Sequence, residues 1–584
     1  MTFNARDTQR NRLNEEEHFA AVYRTMEKFN FKEDGLVEVL ISAQEVFGFL
    51  SKDLLTYVSN NMHIPLSRIY GVATFYDMFT LEPAGATDCM VCTGPTCTIA
   101  GGEEVLAEIY DQTGVSEPGQ SSIDGKYRVN QVSCLGLCDQ APATLINKKT
   151  QVNISVDDVP AMLLGEAKSS RIQVSGSPRE LTSPIGLLPP TDLVAHRSEG
   201  AYTALEKALC EMTPEQVIEE VKDARLTGRG GAGFSTGAKW EFTRKASGKP
   251  KFIVCNFDES EPGTFKDRVL MEGNPFRVIE GMTISAYAAG AKDGYIFIRG
   301  EYPAATEILE EALDELYAEG LLGEDIMGTG IAFDVDIRHN AGAYICGEET
   351  ALFEAIEGKR GFPRHKPPYP TQAGLFGKPT TINNVETFAV IPSLILHGGE
   401  WFRQWGTDIS AGLKLFCLSG HINKPGVVEA PYGLPVRELI EQFGGGFDGE
   451  PQAVLIGGAA GGFLHPDKLD TPLTHEDLHK FDVPIGSGAL MIFNQSVDLW
   501  HVIEGLARFF VNECCGQCAP CRLGTKQILN ILQRINTGDF RAADMHKVNK
   551  LGNTIKTTCV CGLGMTAANP LLSYLHNFDP TVLT

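Results

Sequence analysis

The cysteines of this chain are the residues whose grouping points most directly to chemistry. Fifteen cysteines are present, and eight of them form two sets of four near opposite ends. The first quartet is Cys92, Cys97, Cys134 and Cys138, and the second quartet is Cys515, Cys518, Cys521 and Cys561. Four thiolates are the ligand set that two-iron and four-iron sulfur clusters require. The two quartets therefore predict two clusters and a chain through which electrons pass.

The second quartet has the spacing of a [4Fe–4S] site. Its first three cysteines are separated by two residues each, and the fourth lies far along the chain, as in a common cluster arrangement. Zinc is the alternative, but zinc sites usually consist of two separated pairs. Cys514 and Cys559 each lie beside a predicted ligand, and we expect both to be buried apolar thiols rather than ligands.

The first quartet consists of two pairs, Cys-x4-Cys and Cys-x3-Cys, within short apolar runs separated by glycine and aspartate turns. This pattern predicts a small α/β unit in which the cysteine loops follow the strands. Two such loops are enough to hold a [2Fe–2S] cluster. A redox-active disulfide is the alternative, although that motif normally uses Cys-x-x-Cys.

A glycine-rich loop, GRGGAG at residues 228–233, fits the pattern G-x-G-x-x-G. A Rossmann site requires a strand before this loop, whereas the preceding PEQVIEEVKDARL has helical periodicity, so that fold is excluded. Glycines still let the backbone approach a ligand closely, and backbone N–H groups can face phosphate. Positive charge and flat surfaces for stacking are supplied nearby by Arg229, Lys239, Phe234, Trp240 and Phe242. A packing loop with core aromatics is the alternative.

Three further segments place acids and amides where a predicted strand ends or a helix begins. Such groups suit the hydroxyls of ribityl or ribose, and a helix N-terminus with amide side chains suits phosphate. The residues are Asn256, Asp258, Glu259 and Glu261 in the first segment, Glu348 and Glu349 in the second, and Asn383 and Asn384 in the third. Cys255 and Cys346 lie inside apolar runs of these segments, and we expect both in the core.

Composition limits the class of protein. The chain has 584 residues, of which 43% are hydrophobic and 21% charged, an ordinary globular balance. The formal net charge of -24 argues against nucleic acid as a partner, since phosphate binding needs a basic patch. We find neither a secretory leader nor an apolar run that could span a membrane, which predicts a cytoplasmic protein whose clustered cysteines are metal ligands.

The chain divides into several predicted units that position these residues. Helical periodicity marks the N-terminal part, strands alternate with helices in the middle, and helices return at the end. We predict a helical segment at 1–85, a [2Fe–2S] domain at 86–165, a linker at 166–203, a large α/β domain with the glycine loop at 204–410, a small β-rich domain at 411–490 and a helical [4Fe–4S] domain at 491–584.

With these motifs in place, the chain resembles a known family. RGRGGAGFSTGAKW, NFDESEPGTFKDR, GAYICGEETAL, KPTTINNVET and CCGQCAPCRLG are similar to the NADH-oxidising flavoprotein module of respiratory complex I and of related diaphorases. The N-terminal part resembles the partner subunit of that module, which carries a thioredoxin-like [2Fe–2S] domain. The fusion of both in one chain is similar to the diaphorase subunit of soluble NAD-reducing [NiFe] hydrogenases.

The resemblance implies a fold, cofactors and site residues. It implies an α/β multidomain protein with a thioredoxin-like domain, a β-grasp-like domain and one shared FMN and NAD(H) cavity. By resemblance, FMN is lined by Gly230, Lys239, Asn256, Asp258, Glu348, Asn383 and Asn384; adenine is clamped by Phe234, Phe242 and Tyr369; and NADH meets Glu261 and Glu349. The wider predicted cofactor site also includes Gly228, Arg229, Gly231, Gly233, Glu259, Tyr344, Gly347 and Thr387.

The implied activity is hydride exchange between NAD(H) and FMN, followed by single-electron exchange with the clusters. The acids near the nucleotide would repel an added 2′-phosphate, so we predict NAD rather than NADP. The implied partners are an iron–sulfur electron-transfer subunit and, through it, hydrogenase subunits in a hetero-oligomer. A formate dehydrogenase diaphorase, a fused complex I pair and a non-catalytic relay subunit are the alternatives. We expect the second quartet to lie on the route out, and the first to lie on the other side of the flavin.

Overall fold

A computed structural model describes residues 5–83, 85–539 and 541–578. Its strands form three sheets, of four, six and four strands. The predicted α/β multidomain fold is confirmed, with helices at both ends of the chain and the sheets between them.

The N-terminal segment is a set of helices, as its periodicity predicts. The helices are α1 Ala5–Lys28, α2 Leu36–Phe47, α3 Lys52–Met62 and α4 Leu66–Ala73. Ser51 begins α3 as an N-cap, because its side chain accepts a hydrogen bond from the Leu54 backbone N–H. The apolar face of α2, including Leu36 and Leu40, is buried in the same core as Leu352 and Ile356 of the middle domain. The helical segment is therefore packed onto the cofactor domain.

The domain of the first quartet has a four-stranded sheet in the order β2-β1-β3-β4. Its elements are β1 Thr87–Cys92, α5 Pro95–Ile99, α6 Gly102–Thr113, β2 Tyr127–Val132, β3 Ala143–Ile146, β4 Lys149–Val152 and α7 Val159–Leu163. Strands β1 and β2 are parallel, whereas β3 pairs antiparallel with β1 and β4. The carboxyl ends of β1 and β2 thus share one edge, and the cysteine loops follow at that edge.

The segment predicted as a linker contributes to the β-rich domain. It contains β5 Val174–Gly176 and α8 Leu193–Ser198. Strand β5 pairs in parallel with β11 (Gly426–Pro431) of the later sheet. The Glu429 carboxylate also accepts hydrogen bonds from the Leu181 and Thr182 backbone N–H groups. This crossing segment is therefore anchored to the β-rich domain by one short strand and by hydrogen bonds to Glu429.

The middle domain is a parallel α/β layer structure. Its helices are α9 Thr203–Glu211, α10 Pro214–Asp223, α11 Thr236–Lys245, α12 Lys266–Gly273, α13 Pro275–Ala289, α14 Pro303–Ala318, α15 Glu349–Ile356, α16 Pro370–Ala373, α17 Val385–His397 and α18 Gly399–Arg403. Its strands are β6 Phe252–Phe257, β7 Asp293–Arg299, β8 Asp334–Asn340 and β9 Thr380–Asn384, in the order β8-β7-β6-β9. All three pairings are parallel, so the strands end at one edge of the sheet.

The small domain that follows is β-rich, as predicted. Its elements are β10 Leu413–Gly420, β11 Gly426–Pro431, α19 Val436–Gln442, β12 Pro451–Ile456, β13 Gly462–Leu464, α20 His475–Leu478 and β14 Ala489–Asn494. The sheet order is β13-β12-β14-β10-β11-β5. One face of this sheet packs on α19, with Phe416, Ile440 and Ile492 fully or almost fully buried.

The C-terminal domain of the second quartet is helical. Its helices are α21 Leu499–Asn512, α22 Ala519–Asn536, α23 Ala542–Thr558, α24 Gly562–Thr566 and α25 Asn569–Phe578. Cys515 and Cys518 lie in the loop between α21 and α22, Cys521 lies in the first turn of α22, and Cys561 is the N-cap of α24. Across the described part of the chain, every helix is too short or too polar to cross a membrane.

Candidate cofactor sites

The glycine loop connects α10 to α11 in the middle domain. Gly231 and Gly233 have φ angles of 110° and 65°, a region that side-chain-bearing residues rarely adopt. A Cβ at Gly230 would lie 3.2 Å from the Asn384 Cβ. The Arg229 backbone N–H donates to Thr387 Oγ1 of α17 at 2.9 Å, which holds the loop against that helix. The loop backbone therefore lies open at the carboxyl edge of the sheet.

The Arg229 side chain does not point into this loop, which corrects the prediction that it adds charge there. Its guanidinium is almost fully buried, donates to the Ala411 carbonyl at 2.8 Å and lies over the Tyr432 ring at 4.9 Å. Arg229 thus joins the loop to the β-rich domain. A buried guanidinium needs polar and aromatic partners, and those partners lie outside the loop. Arg229 therefore holds the loop in place from the side of the β-rich domain.

The strand ends bring the predicted polar residues together. Asn256, at the end of β6, donates from Nδ2 to the Gly347 carbonyl at 2.8 Å. Asn384, at the end of β9, is the N-cap of α17 and donates to Asp267 at 2.6 Å. Asn383 is buried beside it. Three sequence segments that are far apart in the chain therefore meet at one edge, as the predicted site requires.

Asp258 shows that this edge is suited to a bound group. Its Oδ1 accepts from Asn340 Nδ2 at 3.0 Å, whereas its buried Oδ2 has no hydrogen-bond partner among the described residues. That free oxygen lies 3.6 Å from the position of a Cβ on Gly347. Burial raises the pKa of Asp258 to about 7. A buried acceptor without a donor costs free energy unless a ligand satisfies it, so the residues fit a flavin with ribityl hydroxyl or ring N–H donors.

Lys239 supplies the cation at the same edge. Its ammonium donates to the Ile382 carbonyl at 2.8 Å rather than to a carboxylate. Burial lowers the pKa of Lys239, and the charge of Glu349 partly offsets that effect. A cation held here close to the N-terminus of α17 fits an anionic phosphate.

Two of the predicted acids have other tasks. The Glu259 carboxylate accepts from the Asp267 and Arg268 backbone N–H groups at 2.8 and 2.9 Å and so caps α12, and its place in the cofactor site stays a prediction. The Glu348 carboxylate accepts from the Thr350 and Ala351 backbone N–H groups and caps α15. Both carboxylates stabilise helix N-termini because those N–H groups lack partners within the helix.

Glu261 and Glu349 remain available at the nucleotide side. Glu261 accepts a short hydrogen bond from the Tyr344 hydroxyl and another from the Ala460 backbone N–H at 2.6 Å. Burial raises the pKa of Glu261 to about 6. Glu349 forms an ion pair with Lys366, which also contacts Glu348. Sequence reasoning missed both Ala460 and Lys366, because nothing in their local sequence marks them.

The aromatic side chains divide into two groups. Phe234, Phe242 and Tyr369, the three predicted to clamp adenine, are 52%, 51% and 54% exposed. Trp240 is fully buried. The three exposed rings are free to stack on a ligand, whereas Trp240 is a core residue, which corrects its inclusion among the stacking surfaces.

The first quartet is enclosed by its domain. Cys92 ends β1, Cys97 lies in α5, Cys134 follows β2, and Cys138 begins a 3₁₀ turn. All four thiols are at most 6% exposed, and the sulfurs of Cys134 and Cys138 are 3.6 Å apart. The hydrogen bond with Cys138 lowers the pKa of Cys134, but the hydrogen bond with Cys92 and burial outweigh it and raise this pKa to about 12. Four converging thiols fit a cluster, whose positive irons would stabilise the thiolates that burial disfavours.

The second quartet is more open. Cys521 and Cys561 are buried, whereas Cys515 and Cys518 are partly exposed. Among the described residues, no three His, Cys, Asp or Glu side chains are close enough to hold a single metal ion. An iron–sulfur cluster does not require its ligands to be this close together, because its irons and sulfides lie between the cysteine thiolates.

Two further thiols lie at this quartet. Cys514 and Cys559 both hydrogen-bond to Cys521. Cys559 is buried, as predicted, whereas Cys514 is partly exposed. The choice of Cys515 and Cys561 as ligands therefore stays a prediction, with six cysteines in one region.

Four family models match the chain in an order that follows these sites. The matches are a thioredoxin-like [2Fe-2S] ferredoxin at residues 22–165, the Nuo51 FMN-binding domain at 221–393, an SLBB domain at 415–463 and the NADH-ubiquinone oxidoreductase-F iron-sulfur binding region at 501–584. The first quartet, the glycine loop and the second quartet each lie inside the corresponding match. The expected cofactors, FMN, NAD and both kinds of cluster, are those of the matched families.

Curated relatives cover either nearly the whole chain or about two thirds of it. The alpha subunit of NAD-reducing hydrogenase HoxS from Cupriavidus necator is 36% identical, over 95% of this chain and 92% of its own length. A component of NADH-quinone oxidoreductase from Rhizobium meliloti is 44% identical over 66% of this chain and 92% of its own. The HndC component of NADP-reducing hydrogenase from Solidesulfovibrio fructosivorans is 43% identical over 68% of this chain and 82% of its own.

The fold is shared with a solved structure. A chain of NAD+-reducing [NiFe]-hydrogenase in its H2-reduced state superposes with a TM-score of 0.84 at 30% identity, and the match covers 94% of this chain and 92% of that one. Full-length identity, four ordered domain matches and a common fold point to the same conclusion. The chain belongs to the family of the NAD-reducing hydrogenase alpha subunit, oxidoreductases of the NADH dehydrogenase type.

Proposed function

We propose that this chain is the diaphorase subunit of a soluble NAD-reducing hydrogenase. In this function it exchanges hydride between NAD(H) and FMN and single electrons with its two clusters. The whole fused chain is similar to the alpha subunit of HoxS, whereas the NADH-quinone oxidoreductase relative matches only 66% of it. That difference favours the hydrogenase over complex I.

The observation that carries the proposal is that the segment at the proposed flavin site also contacts helix α21, which leads into the second quartet. Residues 344–349 follow β8 and include Gly347, which accepts from Asn256. The Tyr344 ring packs on Phe509 of α21 at 4.9 Å. Burial raises the pKa of the Cys561 thiol, and the nearby charge of Glu348 adds a smaller contribution in the same direction. A flavin site and a cluster site that are in contact through this segment suit direct electron exchange.

A flavin, when bound, supplies the step between a two-electron hydride donor and one-electron clusters. The residues proposed to hold it are Lys239 for the phosphate, Asp258 and Asn256 for polar groups of ribityl or ring, and the loop at 228–233 for close backbone contact. Phe234, Phe242 and Tyr369 are proposed to stack on adenine, leaving Glu261 and Glu349 for the ribose hydroxyls. No side-chain acid or base is required for hydride transfer itself.

We propose NAD(H) rather than NADP(H) as the substrate. Both hydrogen bonds described at the Glu261 carboxylate come from neutral donors, so it would face an added 2′-phosphate with a negative charge, whereas Lys366 offsets Glu349. An NADP-reducing relative at 43% identity makes this preference worth a direct measurement.

The proposed setting is a cytoplasmic hetero-oligomer. In it, the second quartet passes electrons to or from an iron–sulfur subunit, and that subunit connects to the hydrogenase subunits. The proposal requires no nucleic acid, in line with the net charge of -24.

The experiment is to purify the chain anaerobically from its own source with whatever remains bound. The expected preparation is yellow, releases FMN on denaturation, reduces a viologen dye with NADH at least about tenfold faster than with NADPH, and reduces NAD+ under H2. Clusters without releasable FMN would instead support the relay alternative. NADH-driven dye reduction with formate-dependent rather than H2-dependent NAD+ reduction would support the formate dehydrogenase alternative.

A further inference from the structure

Glu513 is a carboxylate shared between the two cluster regions and the flavin loop. It lies directly after α21 and two residues before Cys515. One carboxylate oxygen accepts from the Ser133 hydroxyl at 2.7 Å, and the other accepts from the Tyr344 backbone N–H at 3.0 Å. These two bonds join segments that are 380 and 169 residues away in the chain.

Each partner belongs to a different cofactor region. Ser133 directly precedes Cys134 of the first quartet, and Tyr344 begins the loop at the flavin edge. The Tyr344 hydroxyl in turn bonds to Glu261 on the nucleotide side. A single side chain thus contacts the backbone or neighbours of all three sites.

Among the described residues, no lysine, arginine or histidine forms an ion pair with Glu513, although the charge of the buried Arg299 acts on this carboxylate from nearby. Both of its hydrogen-bond donors are neutral. The nearby buried Arg299 donates instead to Glu301, to the Cys134 carbonyl and to the Glu259 carbonyl. Charges that are partly withdrawn from water act over longer distances than surface charges. Glu513 therefore presents its negative charge to both quartets.

We propose that Glu513 is a positioning residue that sets the reduction potentials of both clusters together. A fixed negative charge opposes the addition of an electron, and cluster potentials respond to local charge and hydrogen bonding. Glu513 holds both potentials low and fixes the Ser133–Cys134 segment against the flavin loop. The inference rests on the proposed cluster sites, whose presence is checked in the same experiment.

Glu513→Gln tests the charge with little change of shape, and Glu513→Asp tests whether a shorter carboxylate restores it. Glu504→Gln is the matched control, since Glu504 is a buried glutamate of α21 that bonds instead to Arg508 and Asn536. The measurement is a redox titration at about pH 8 in which each cluster is followed by its EPR signal. It reports potentials, and it does not depend on turnover.

In Glu513→Gln, both midpoint potentials should rise by about 59 mV or somewhat less, a change of up to about tenfold in the reduced-to-oxidised ratio. Glu513→Asp should recover most of the shift, and Glu504→Gln should match the wild type. Unchanged potentials with both signals present, or a shift in only one cluster, would overturn the inference without touching the proposed function. Absence of both signals from the wild type would overturn the cluster sites themselves.

Discussion

The two cysteine quartets differ in how the chain encloses them. The first is built on the carboxyl edge of a sheet, and all four thiols are at most 6% exposed. The second lies between helices, and two of its thiols, Cys515 and Cys518, are partly exposed. Strand ends, a short helix and a turn carry the first quartet, whereas one loop and the starts of α22 and α24 carry the second. Both quartets have four cysteines in the sequence, but the thiols of the second are more exposed to solvent than those of the first.

This difference indicates unequal roles. Electron transfer to another protein requires a cofactor near the surface, and the second quartet has exposed apolar side chains close by in sequence. Leu523 and Met565 follow Cys521 and Cys561 by two and four residues, and they are 59% and 38% exposed. Exposed apolar residues beside a site are typical of interaction surfaces. We infer that the second quartet is the exit and the first is a side site.

The largest expected effect is the selective loss of one cluster. Cys518→Ala should abolish the [4Fe–4S] EPR signal and leave the [2Fe–2S] signal, and Cys134→Ala should do the reverse, because the quartets lie in separate domains. The measurement is low-temperature EPR of dithionite-reduced protein, with Cys210→Ala, an exposed cysteine outside both quartets, as the control. If either variant lost both signals while still folded, the sites could not be independent.

Asp258, the buried acid of the proposed flavin site, should make the free energy of unfolding depend on pH. Because the folded FMN-free protein binds the Asp258 proton more tightly than the unfolded chain does, stability falls as pH rises from about 4 through about 7. Asp258→Asn removes this loss, so at about pH 8 it should be more stable than the wild type by up to about 4 kcal/mol. Urea unfolding at about pH 5 and pH 8 measures it; a gain as large at the lower pH as at the higher would contradict the proposed ionisation.

Access to the clusters should differ in a chelation experiment. With the oxidised protein and a strong Fe²⁺ chelator plus mild reductant, the [4Fe–4S] signal should disappear about tenfold faster than the [2Fe–2S] signal, since Cys515 and Cys518 are partly exposed. Aliquots are taken at successive times, freed of chelator and reduced with dithionite, and EPR then follows both clusters in each aliquot. Equal rates would remove the exposure difference as a basis for separate roles.

A smaller effect is expected at the proposed exit surface. Leu523→Asp should weaken binding of the iron–sulfur partner subunit by about tenfold, because an exposed apolar side chain that becomes buried contributes roughly 1–2 kcal/mol. Leu187→Asp, at an exposed leucine of the crossing segment, is the control and should bind normally. Partner titration measured by calorimetry decides it; equal weakening by both variants would place the interface elsewhere.

Much of this organisation is readable from the residues alone. Helical periodicity marks the N-terminal helices, and the alternation of apolar runs with helices predicts a parallel sheet. The same logic places Asn256, Asn383 and Asn384 at one sheet edge, because parallel strands end together. Motif spacing likewise separates the two quartets. These features can be predicted because each depends on the order of residues within one short segment of the chain.

Other features depend on partners far away in the sequence, and local pattern does not contain them. The three-residue strand β5 has no alternation of its own and exists because β11 offers it an edge. Arg229 turns away from its loop because Tyr432 and Ala411 of another domain provide partners. Glu259 caps α12 because the chain folds back on it. For the same reason Glu513 carries no signal in the sequence beyond its place beside the cysteines.

The most direct test of the exit claim is stopped-flow mixing of NADH with the complex of this chain and its iron–sulfur partner subunit, in Cys518→Ala and Cys134→Ala. Flavin absorbance and partner-cluster absorbance are followed together. We predict that NADH bleaches the flavin in both variants, that Cys134→Ala reduces the partner at close to the wild-type rate, and that Cys518→Ala leaves the partner oxidised. Reduction of the partner in Cys518→Ala but not in Cys134→Ala would contradict the account.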